Sequence, residues 1–136
     1  MGSGGPSSTR RTDVEALGHR RWVIAEGWIP DRSTGPEELA SHETACMVNT
    51  GDRDAHVEIH VLFTDREPAG PYAVTVPARR TVHVRFDQLT DPEPVPRATD
   101  YASVIESDEP IVVQHTRLDS RQAENALMST TAFPAG

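Results

Sequence analysis

Residues 55–64 alternate plainly. Val57, Ile59, Val61 and Phe63 interleave with His56, Glu58, His60 and Leu62. Successive side chains of a strand point to opposite faces, so a period of two predicts a strand buried on one side and wet on the other. Residues 81–86 repeat the pattern, with Val82, Val84 and Phe86 inward and Thr81, His83 and Arg85 outward. Shorter apolar runs at 22–25, 44–49, 72–76, 102–106, 111–117 and 126–132 read as further strands. Turn chemistry separates them: Pro30 to Pro36, Asn49-Thr50-Gly51-Asp52, Asp65 to Pro71, and the proline-bearing stretch 91–100. Ser107-Asp108-Glu109-Pro110 reads as a hairpin turn between 102–106 and 111–117. No segment has a convincing helical period. Short strands spaced by roughly 8–14 residues predict an all-β fold: a single-domain antiparallel β-sandwich or jelly-roll-like barrel.

At 136 residues the chain is long enough for one core. Residues 1–20, Gly/Ser-rich and then polar, read as a flexible leader, and 21–134 as the folded domain. The net charge of −8 argues against nucleic acid or an anionic membrane surface as the main partner. No apolar run approaches the ~18 residues of a membrane span, and no secretory signal is visible. One cysteine, Cys46, excludes an internal disulfide. Its apolar neighbours predict a buried, inert thiol, and a cytoplasmic protein is expected.

Apolar residues at Ile111-Val112-Val113 predict a central strand buried on both faces. His115, Arg117, Asp119 and Arg121 follow directly, and polar groups beside a buried strand need partners. Glu26 falls on one strand face with Trp22, Ile24 and Trp28, which predicts a carboxylate between two aromatics. Such a group is either ion-paired or set for a ligand. Arg117 and Arg121 are its candidate partners, Asp119 can orient one of them, and Trp28 can stack on a sugar-like ring. The same cluster also reads as an internal pair fixing the sheet or a subunit contact. His42 and Glu43 adjoin a buried strand and join the candidates. Arg79, Arg80 and Arg85 read as cross-strand partners of Glu58.

Catalysis is not expected. Ser103, Ser120 and Cys46 lie in no nucleophile elbow, and no glycine loop suits a phosphate. His56 and His60 are four apart, about 13 Å along a strand, so they do not form a metal pair. No cofactor and no metal centre is expected.

Several blocks together resemble the sensory rhodopsin transducer family. They are Ile24-Ala25-Glu26-Gly27-Trp28-Ile29-Pro30, Ser41-His42-Glu43-Thr44, Asp54-Ala55-His56-Val57-Glu58-Ile59, Pro77-Ala78-Arg79-Arg80-Thr81, His83-Val84-Arg85-Phe86, Ala102-Ser103-Val104-Ile105, and the stretch from Pro110 to Leu127. The resemblance implies a soluble β-sandwich assembling as a homotetramer. It implies either a sensory domain for a small polar ligand, sugar-like or another metabolite, or a transducer that docks on a membrane sensory rhodopsin and relays its light signal. The family's polar blocks fall on Glu26, His42, Glu43, His115, Arg117, Asp119 and Arg121. The chain stops at Gly136, so a tail reaching a membrane receptor is expected to be short.

Overall fold

One strand organises the molecule. The computed structural model describes residues 14–31, 42–119 and 126–136, with backbone alone for 119 and 126–129. Among them eight strands run in order: β1 (His19–Gly27), β2 (His42–Asn49), β3 (Ala55–Phe63), β4 (Ala69–Val76), β5 (Arg80–Arg85), β6 (Tyr101–Asp119), β7 (Ala126–Thr131) and β8 (Phe133–Pro134). A 3-10 turn, Phe86–Gln88, follows β5.

The expected hairpin between 102–106 and 111–117 does not form. Both segments belong to β6, a continuous strand of 19 residues. Pro110, read from sequence as a turn residue, lies inside it, and the registers explain why that is tolerated. β3 follows β6 only as far as Ser107, and β2 joins only at Val112. On the remaining edge β1 passes from Glu106 at Arg21 to Ile111 at His19, across a register break. Residues 108–110 therefore have no ladder partner, and a proline there forfeits no hydrogen bond. Ser107 fastens this crossing: its Oγ donates to the Glu109 carbonyl at 2.6 Å and accepts from the Glu109 N–H at 3.3 Å. Trp22 spans the same break, its indole N–H donating to the carbonyls of Ile111 (3.1 Å) and His19 (3.0 Å).

The first half of β6 lies between β3 and β1, with β4 beyond β3 and β8 beyond β1. The second half lies between β2 and β7, with β5 beyond β2. Every pairing is antiparallel. The result is an all-β sandwich whose two sheets share one strand and one core. The alternation read in β3 holds: Val57, Ile59 and Val61 are buried, while His56, Glu58 and Leu62 are exposed. Trp22, Ile59 and Ile105 meet Met47, Val113 and Phe86 in that core. Each such side chain contributes roughly 1.5–3 kcal/mol on burial, the bulk of what stabilises a domain of this size. The Asn49 turn is also as expected, and its side chain supplies the closure. Nδ2 donates to the carbonyls of Arg53 (2.7 Å) and Val76 (3.0 Å), and Oδ1 accepts from Gly51 N–H (2.9 Å).

Four further expectations need correction. Val112 is only half-buried between buried Ile111 and Val113, so that stretch is not closed on both faces. Cys46 is likewise half-buried, because it alternates with buried Ala45 and Met47. Arg85 pairs with Asp87 at 2.7 Å rather than with Glu58, since β5 borders β2 and not β3. Glu26 does not share the buried face of Trp22 and Ile24. A register break between Ile24 and Gly27 turns it outward, leaving its side chain 84% exposed.

Candidate functional site

The registers of β2 and β6 set Glu43 opposite Arg117 and Ala45 opposite His115. His115 and Arg117 continue the face of Ile111 and Val113, the core face, but beyond the point where apolar side chains fill it. Glu43 is fully buried. A carboxylate so placed is costly unless every lone pair finds a donor. Here three donors converge on it. His115 Nε2 lies 2.7 Å from Oε1. Arg117 Nε donates to Oε2 at 2.9 Å, and the Trp28 backbone N–H donates to the same oxygen at 2.7 Å. With the carboxylate accepting, His115 carries its proton on Nε2.

Arg117 also lies 3.8 Å, through Nη2, from the outward-turned Glu26 carboxylate. That contact is exposed and contributes little to stability. Arg117 thus connects the buried acid to the surface. His115 and Arg117 line a groove of about 690 Å³ together with Val23 to Glu26 and Thr130 to Phe133.

Tyr101 closes the inner side of the cluster. Its ring packs on Phe86 at 5.6 Å between centroids. Gly27 makes room for it: a Cβ there would fall 2.4 Å from Tyr101 Cε1. The phenol is buried. Burial, and then the Glu43 charge, push it well above the usual tyrosine range, so it stays protonated. The hydroxyl faces the Glu43 carboxylate, whose charge and hydrogen-bonding both favour the protonated phenol.

Of the residues singled out from sequence, Glu43, His115, Arg117 and Glu26 come together. Trp28 enters the cluster through its main-chain N–H. His42 precedes Glu43 on β2 and so belongs to the opposite face of the strand. Asp119 ends β6 opposite Ala126, its side chain outside the description, and Arg121 lies outside the described residues. Sequence reasoning missed Tyr101 and the Gly27 cavity. Neither has a local signal, because both follow from the pairing of β1 with the start of β6.

The sequence profile of the Anabaena sensory rhodopsin transducer family matches residues 17–134. The chain belongs to that family. A solved structure described as the Anabaena sensory rhodopsin transducer is 59% identical to it, covering 74% of this chain and 99% of its own, with a TM-score of 0.68. A crystal structure of Thermotoga maritima 1070 is 34% identical over 87% of this chain and 96% of its own, with a TM-score of 0.78. No curated protein matches the chain. Like the family to which it belongs, this sensory rhodopsin transducer relative is a signalling domain. Among its described residues no helix is long and apolar enough to cross a membrane.

Proposed function

We propose that this chain is a non-enzymatic transducer that docks on a microbial sensory rhodopsin from the cytoplasmic side and relays its state, working as a homotetramer. The observation that carries this reading is the family match over residues 17–134, together with 59% identity to a protein described as the Anabaena sensory rhodopsin transducer. The fold is suited to relay, since β6 joins both sheets through one backbone. The test is calorimetric titration of the purified protein into nanodiscs carrying Anabaena sensory rhodopsin, in darkness and under illumination. Saturable binding whose affinity changes with light is expected. Heats no larger than those into empty nanodiscs, in both states, would overturn it.

A second reading, binding of a small polar ligand, is favoured by one feature: His115 and Arg117, which hold the buried Glu43, line a groove of about 690 Å³. A thermal-shift screen of sugars, sugar phosphates and other polar metabolites addresses it. A ligand at about 100 times its Kd stabilises by about 2.7 kcal/mol. A shift lost in Arg117→Ala supports a pocket here, and a blank panel counts against it.

A further inference from the structure

On the outer face of the β4–β3–β6–β1 sheet, on the half of β6 that does not line the groove, three ligand-type side chains meet. Glu58 stands directly opposite Glu106 in the β3–β6 register. Two carboxylates in that relation repel, which is destabilising. His60, two residues along β3, is on the same face and diagonal to Glu106. Its Nε2 is 3.6 Å from Glu106 Oε1 and 3.9 Å from Glu58 Oε1. One ligand atom from each of the three residues lies within 4.8 Å of the others. The His60 separations are long for hydrogen bonds. The three groups thus converge on a shared point without closing on one another.

Two further observations bear on that point. The β3–β4 pairing slips opposite His60: Ile59 pairs with Tyr72 but Val61 with Ala69, so β4 carries one more residue there than β3. Such bulges re-aim side chains and recur beside functional positions. Glu58's other neighbour is Ala73, too small to cover its carboxylate. Arg21 approaches Glu106 through Oε2, at 3.6 Å, which leaves Oε1 facing His60.

We infer that Glu58, His60 and Glu106 form a surface site for a divalent transition-metal cation. One imidazole nitrogen and two carboxylate oxygens are a donor set that zinc and its first-row neighbours accept, with the remaining position open to water or to a ligand from a partner. Zinc bonds of ~2.0–2.1 Å hold tetrahedral ligand atoms ~3.3 Å apart. Side-chain rotation of these exposed and half-exposed groups brings ligand atoms now within 4.8 Å of one another to that spacing. The inference departs from the expectation that the histidines form no metal centre. His56 and His60 do lie apart, and it is cross-strand register that gives His60 its companions.

The test is calorimetric titration of the full chain with zinc chloride in non-chelating buffer near neutral pH. One equivalent is expected to bind, with affinity falling about tenfold or more in both His60→Ala and Glu58→Gln, since loss of even an outer-sphere partner costs that much. His56→Ala, removing a nearby imidazole outside the set, should leave binding unchanged. All three substitutions are at exposed or half-exposed positions, and circular dichroism checks that the variants are folded. Absence of saturable binding would overturn the inference. So would zinc binding that survives both His60→Ala and Glu58→Gln, because the metal would then be held elsewhere.

Discussion

Glu43 has no solvent of its own and, among the described residues, is held by hydrogen bonds from His115, Arg117 and the Trp28 amide. Glu43→Ala removes the shared acceptor and strands an imidazole, a guanidinium and a main-chain N–H together. Loss of one partner of a buried charged pair costs about 3–5 kcal/mol, and the partial exposure of Arg117 puts this variant near the lower figure. The drop in urea midpoint at unchanged slope measures it. Gly27→Ala tests the opposite fault, too much volume. Its new methyl would meet the Tyr101 ring at 2.4 Å, so about 1–3 kcal/mol of stability should be lost, visible as a lower Tm. An unchanged Tm would mean that Tyr101 is not held where the site needs it. At this scale the sequence was half legible. Glu43, His115 and Arg117 stood out because polar groups beside buried strands demand partners. Glu26 was misplaced because a bulge between Ile24 and Gly27 inverts the face on which it falls, and bulges leave no mark in a period-two reading.

Among the elements, β3 and β5 were readable from alternation alone, since each has one face on the core and one in water, while β2, with no exposed residue, was readable as an apolar run. β6 was not, because Ser107 to Pro110 has turn composition while serving as an unpaired crossing within a strand. An anchor at that crossing lends itself to a pH experiment. Asp108 accepts from the His56 backbone N–H at 2.7 Å through Oδ1, while its Oδ2 lies 2.9 Å from His56 Nδ1. The hydrogen bond to Asp108, then its charge, raise the His56 pKa, and the His56 main-chain N–H chiefly lowers that of Asp108. The histidine's contribution to stability is complete below its ordinary value of 6.5 and fades as pH rises through the raised folded value. The aspartate's contribution is complete above 3.8 and fades as pH falls through its lowered folded value. The Tm difference between the protein and His56→Ala should therefore be widest between pH 3.8 and 6.5 and narrow on the alkaline side. A difference independent of pH would refute the pairing.

For the whole molecule, Arg117 separates two roles for the polar cluster. If the cluster lies between subunits, Arg117→Ala should elute later than the unsubstituted protein in size-exclusion chromatography. If it serves the groove alone, the elution volume should not change. The single-domain all-β architecture was legible because strand signals recur at short intervals with turn chemistry between them. Which strands neighbour which was not, since pairing between distant segments such as Glu43 and Arg117 is written in no local pattern.

The continuity of β6 also sets how the molecule can come apart. Neither sheet can lose its central strand without unfastening the other, so neither is an independent cooperative unit. Amide hydrogen exchange should accordingly give Ile105, in one sheet, and Val113, in the other, the same opening free energy, equal to that of global unfolding. A molecule fastened in this way can pass strain from one sheet to the other only while it remains wholly folded.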